Sequence, residues 1–138
     1  MTSETDPIFD KLARVFAEVY GRPAGPEGLR LFFAPGRVNL IGEHTDYNGG
    51  HVLPCALSMG TFVLVSKRGD GRCRIFSANL PEAGVTEFNL ADPWDPEDSG
   101  WSRYPRAVLS VLSASPRPPK TSLDAVFLGT IPSGAGLS

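Results

Sequence analysis

Apolar side chains at Ile8, Phe9, Leu12, Val15, Phe16, Val19 and Tyr20 recur every three or four residues, a spacing that predicts a helix buried along one face. Asp6 and Pro7 mark its start, and Gly21 its stop. Beyond it the pattern shortens. Residues 31–34 and 38–41 are brief apolar runs bounded by Pro35-Gly36 and Gly42, as strands are. Residues 61–66 and 72–77 read as two further strands, and the Lys67-Arg68-Gly69-Asp70-Gly71 segment between them predicts a hairpin. Residues 85–90 alternate as another strand. Two prolines and four acids make residues 91–100 a surface loop. A second helix opens at Trp101, with Tyr104, Val108, Val111 and Leu112 on one face and Pro105 in its first turn. After a proline-rich connector over residues 113–119, residues 123–128 are apolar on both faces and predict a strand covered from both sides.

Composition adds little to that order of elements. The chain has 138 residues, 41% hydrophobic and 20% charged, which bounds it to one globular domain or part of one. No apolar run is long enough to cross a membrane, and the polar, acidic start argues against a secretory signal, so a cytoplasmic protein is expected. The net charge is −2, and no aromatics interleave with the basic spot at Lys67, Arg68, Arg72 and Arg74. That spot reads as a solvated hairpin tip, and no nucleic-acid partner is expected. Cys55 and Cys73 lack metal or redox spacing and are expected to be buried, reduced thiols.

The chemistry concentrates after the strand at residues 38–41. Glu43, His44 and Asp46 follow within five positions of it, then Tyr47, Asn48 and the pair Gly49-Gly50. Carboxylates accept hydrogen bonds from hydroxyls, while histidine, asparagine and tyrosine can donate or accept. This set suits a neutral polyol such as a sugar, because sites built for hydroxyls discriminate strongly against analogues lacking one. A metal site on Glu43, His44, Asp46 and His51 competes less well. The two histidines lie seven apart across a Gly-Gly turn, not at a ligand spacing.

At the other end, the strand at residues 123–128 runs through Gly129, Thr130 and Ile131 into Pro132-Ser133-Gly134-Ala135-Gly136-Leu137-Ser138. Glycines let backbone N–H groups approach an anion, and a strand leading into such a loop suggests a phosphate cradle. The Gly-x-x-x-x-Gly-Lys-Ser/Thr pattern is absent, so it is not a Walker-type loop.

From Pro35 to Leu57, through Arg37-Val38-Asn39-Leu40-Ile41-Gly42-Glu43-His44-Thr45-Asp46-Tyr47, the chain resembles the galactokinase signature. That family sits in the kinase superfamily that also holds homoserine, mevalonate and phosphomevalonate kinases (GHMP kinases). The closing Pro-x-Gly-Ala-Gly-Leu-Ser resembles the start of the superfamily's second motif, and the two occur in the family's order.

The resemblance implies an ATP-dependent kinase that phosphorylates galactose at its anomeric hydroxyl. Glu43, His44, Thr45 and Asp46 would bind the sugar, and Arg37 would stabilise charge near the anomeric oxygen. Ser133, Gly134, Ala135, Gly136, Leu137 and Ser138 would wrap the ATP phosphates. Trp101 and Tyr104, in a run similar to the family's Trp-x-x-Tyr-x-x-Gly, would border the adenine, although core packing explains both equally. An ion pair with a nearby acid is the structural alternative for Arg37.

The fold implied is α+β, a mixed β-sheet with packed helices, as in the N-terminal domain of the GHMP kinases. Residues 1–138 would form part of that sugar- and nucleotide-binding domain, with the C-terminal domain absent. The family's catalytic aspartate, Mg2+ ligands and third glycine-rich motif lie further along the chain. The fragment is therefore expected to be inactive alone. It is also expected to fold poorly, because its last strand, apolar on both faces, needs cover from the helix that follows this segment in the family, and the full-length protein is expected to be monomeric. Two other readings remain on the same fold: a kinase for N-acetylgalactosamine or galacturonate, and a non-catalytic sensor of galactose and ATP. A Rossmann dehydrogenase fits poorly, since its glycine loop should come early.

Overall fold

A computed structural model of the chain describes residues 6–22, 28–42, 44–92, 95, 97 and 99–132. Helix α1 spans Pro7–Tyr20, with the Asp6 carboxylate accepting from the Ile8 amide at 2.9 Å and Gly21 closing it in the left-handed region. Its apolar stripe packs on one face of a five-stranded sheet. The strands are β1 (Leu29–Ile41), β2 (Leu53–Arg68), β3 (Arg72–Ser77), β4 (Thr86–Asn89) and β5 (Ser122–Gly129), in the order β1-β2-β5-β3-β4. Helix α2 covers Arg103–Ser113. The sheet is mixed, since β5 runs antiparallel to β2 and parallel to β3.

Leu12, Ala13, Phe16 and Tyr20 of α1 meet Leu64, Phe76, Val126 and Leu128 in one buried cluster. Alternation along β2, β3 and β5 aims Leu64, Phe76 and Val126 at the helix. The α+β architecture is therefore the expected one, and β5, apolar on both faces, takes the centre of the sheet.

Four sequence expectations change. The two short runs before the polar loop are one strand, because Pro35-Gly36 sits at a register shift within β1, on the sheet edge where a missing N–H is tolerated. At this irregularity Gly60 of β2 lies so close that an added Cβ would meet the Ala34 carbonyl oxygen, so only glycine fits. The hairpin between β2 and β3 is absent. Central β5 inserts between them, and its non-local pairing outweighs the local turn signal.

The expected basic hairpin tip is also overturned. Arg68 and Arg74 turn inward onto Asp124, which is completely buried on β5. Arg74 holds both carboxylate oxygens, Nε to Oδ1 at 2.8 Å and Nη2 to Oδ2 at 2.9 Å. Arg68 adds Nη1 to Oδ1 at 3.0 Å and also pairs with Asp70, whose carboxyl it holds well below the usual carboxylate range. Arg22, just past α1, reaches Asp124 Oδ2 at 2.8 Å. Finally, both thiols are free, but only Cys73 is buried, since Cys55 lies where β1 and β2 stand alone and is exposed.

Burial gives the core a pH dependence. The Tyr20 hydroxyl lies 2.9 Å from the Ala125 carbonyl and 3.1 Å from that of Arg74. Burial, and then the Asp124 charge, push its pKa above the ordinary 10.0, and burial raises the Cys73 thiol above 9.0. The unfolded chain therefore loses both protons first as pH rises. The stabilisation is complete below about pH 9 and is lost progressively above it. Urea midpoints should stay level from about pH 7 to 8.5 and fall towards about pH 11; a level profile to that limit would contradict the assignment.

Candidate functional site

The long β1–β2 pair projects beyond the rest of the sheet. Arg37 pairs with Ala56, Val38 with Cys55 and Ile41 with Leu53, whereas β5 joins β2 only from Thr61 onward. At the free end of this ribbon the polar loop turns. Gly42 makes the turn possible: its φ is 114°, and a Cβ there would come within 2.8 Å of the His51 carbonyl oxygen and the Val52 Cα.

From Gly42 to His51 the loop is stitched by its own groups. Thr45 spans the neck, its Oγ1 lying 2.6 Å from the Gly42 carbonyl and 3.1 Å from that of His51, while the Gly50 amide donates to the Thr45 carbonyl at 2.8 Å. Thr45, expected as a sugar ligand, thus spends its hydroxyl proton on the backbone. His44 has φ 61°, a left-handed conformation that costs a non-glycine residue energy and so marks an imposed geometry. Its carbonyl accepts from Asn48 Nδ2 at 2.7 Å, and its Nδ1 lies 2.5 Å from the Tyr47 hydroxyl. Asp46–Asn48 forms a short 3-10 turn.

Glu43 lies outside the described residues, as does the side chain of Asp46. Arg37 is exposed on the ribbon and has no ion-pair partner among the described residues, so the structural alternative for it finds no support there. Within the same limit, no group of three His, Cys, Asp or Glu could hold a metal ion. Among the described residues, no helix is long and apolar enough to cross a membrane.

On the sheet face opposite α1, a cleft of about 570 Å³ opens beneath α2, lined among others by Val63, Ser77, Asn79, Trp101, Tyr104 and Phe127. Trp101 stands edge-on to Phe127, ring centroids 5.8 Å apart. Tyr104, Val108, Val111 and Leu112 remain exposed, so the apolar face of α2 is not packed as its periodicity predicts. Within this chain Trp101 is half-buried and Tyr104 is exposed.

The end of β5 is clasped beside this cleft. Asn79 donates Nδ2 to the Gly129 carbonyl at 2.9 Å and accepts from its amide at 2.6 Å, and Thr130 Oγ1 sits within 3.0 Å of both the amide nitrogen and the carbonyl oxygen of Gly60. The clasp was not legible in the sequence, since Asn79 lies 50 positions from Gly129. The expected phosphate loop, Ser133 to Ser138, falls outside the described residues.

Residues 14–67 match the family model of the galactokinase galactose-binding signature. The chain is 50% identical over 129 residues to a galactokinase of Bacillus subtilis, covering 94% of this chain and 32% of that protein. It is 49% identical over 123 residues to a galactokinase of Enterococcus faecalis, covering 89% and 31%. A crystal structure of Lactococcus lactis galactokinase complexed with galactose superposes with a TM-score of 0.85 at 37% identity, over 95% of this chain and 33% of that one. The mevalonate kinase of Methanococcus jannaschii shares the fold, with a TM-score of 0.66 at 19% identity over 82% and 36%. The chain matches the galactokinase galactose-binding signature over residues 14–67 and superposes on about a third of a galactokinase, and it spans about a third of the length of the curated relatives it matches.

Proposed function

We propose that this chain supplies the galactose-holding loop and one wall of the nucleotide site of an ATP-dependent galactose 1-kinase. The observation that carries the proposal is the galactose-binding signature, residues 14–67, within which β1 and β2 pair as a ribbon that presents a stitched polar loop. Glu43, His44 and Asp46 bind the sugar hydroxyls, and Thr45 holds the loop that presents them. The relative solved with galactose supports this choice of sugar.

The cleft beneath α2 fits a purine. Its volume lies within the range of small-ligand pockets, Trp101 and Phe127 offer aromatic edges, and Ser77 and Asn79 supply polar atoms at one end. From the clasped end of β5 the chain leads into Ser133 to Ser138, which the same reading assigns to the ATP phosphates. Phosphoryl transfer asks mainly for alignment and charge stabilisation, the parts that Arg37 and these loops would provide. The base acting on the sugar hydroxyl and the Mg2+ ligands are assigned to none of the residues here. The 138-residue chain is accordingly expected to have no kinase activity by itself. Such an enzyme would work in the cytoplasm, where ATP is available.

The test is a chimaeric kinase in which this chain replaces the matching third of the Bacillus subtilis relative, assayed with ATP against galactose, glucose, N-acetylgalactosamine and galacturonate. Preferential turnover of galactose is expected. Binding without turnover would favour a sensor, and preference for another sugar would move the substrate. In the same chimaera Asp46→Ala should weaken galactose binding by about 1.5–3 kcal/mol through lost charged hydrogen bonds, and an unchanged affinity would contradict its role.

A further inference from the structure

We infer that Tyr47 is a positioning residue for His44, fixing the imidazole so that Nδ1 is occupied and Nε2–H alone is presented to a sugar oxygen. The inference rests on reading this loop as the galactose-holding element. Its ground is the geometry of three consecutive features. The His44 backbone is held left-handed at φ 61°, its carbonyl is tied by Asn48 Nδ2 at 2.7 Å, and its Nδ1 lies 2.5 Å from the Tyr47 oxygen. The two rings meet edge to face, with centroids 5.9 Å apart and an interplanar angle of 75°.

Backbone and ring are thus constrained independently. A phenol is a good donor and a poor acceptor, so in the neutral state the favoured arrangement has the Tyr47 O–H donating to Nδ1 and the ring proton on Nε2. Among the described residues, the His44 ring has no hydrogen-bond partner besides Tyr47. The free edge is therefore a donor of fixed direction, which selects an acceptor lone pair on the sugar. The carboxylates of the same loop are acceptors only when ionised, so His44 would supply the complementary donor to the set. Tyr47 is itself mostly exposed, so it is not held by the core of this chain.

The chain has two histidines, so its ring nitrogens are readily told apart by 15N NMR. At about pH 8.5, where an ordinary imidazole is neutral, the His44 Nδ1 resonance should be that of a hydrogen-bonded acceptor. Tyr47→Phe, which keeps the ring and removes the donor, should move that resonance and leave His51 in place. In the chimaeric kinase the same variant should raise the galactose KM about three- to tenfold, as expected for one oriented hydrogen bond, with kcat and the ATP KM nearly unchanged. A protonated Nδ1 in the parent protein, an unmoved resonance in the variant, or an unchanged galactose KM would each overturn the inference. Failure of the parent chimaera to bind galactose would instead overturn the assignment of the loop, while the nitrogen signals would still decide the Tyr47–His44 pairing.

Discussion

Asp124→Ala is expected to destabilise the chain by about 3–5 kcal/mol, the usual consequence of removing one partner from a buried ion pair. The carboxylate is completely buried and receives three guanidinium groups from three different places: the end of α1, β2 and β3. Arg22, 39% exposed at its side chain, could swing into water once the carboxylate is gone. Arg68 and Arg74, at 15% and 24%, are confined, and Arg74 is further held 4.6 Å over the Tyr20 ring. The cost falls mainly on those two. Asp124→Asn keeps the volume and should recover only a minor part, because a neutral amide removes the counter-charge of Arg74 and leaves Arg68 with Asp70 alone. Urea denaturation of the parent and both variants measures this directly, and a midpoint unaltered in the alanine variant would mean that the cluster is electrostatically idle.

Arg37→Ala in the chimaeric kinase is expected to lower kcat by about two to three orders of magnitude, the scale of losing one donor that stabilises developing charge. The galactose KM should change little, since the interaction strengthens in the transition state. Arg37 is exposed on the ribbon, opposite Ala56, and free of any carboxylate partner among the described residues. Its guanidinium is always charged, and its planar fork can hold two phosphate oxygens at once. Arg37→Lys should therefore restore charge without that geometry and recover only part of the rate. Steady-state kinetics with galactose and ATP would show it, and a kcat equal to that of the parent would remove Arg37 from the chemistry.

Local signals read well here. Asp6, Pro7 and Gly21 bracket α1 because caps act within a turn of the helix end, and the apolar run at residues 123–128 is indeed the most enclosed strand. The polar loop was legible because its residue types lie together in sequence. What escaped was non-local. Arg68 and Arg74 sit 56 and 50 positions from Asp124, so their charges read as a solvated tip, and an acid inside an apolar strand carried no visible partner. The same distance hid the insertion of β5 between β2 and β3. Within the loop, the Tyr47–His44 bond was hidden for another reason: it depends on the left-handed turn at His44, and residue type alone does not report that turn.

The proposed sugar loop also stands on a part of the sheet that β5 does not reach. Between Arg37 and Ile41 the ribbon has two strands and, among the described residues, no third, with Leu40 and Ile41 exposed, and isolated two-stranded pairs are marginal in water. Within this chain, opening of the ribbon is therefore cheap compared with opening the core beneath α1. A sugar that recognises only the closed ribbon binds with an apparent affinity reduced by the fraction of molecules in which it is closed. Any contact that clamps the ribbon shut, wherever it is made, would then tighten sugar binding without touching the sugar.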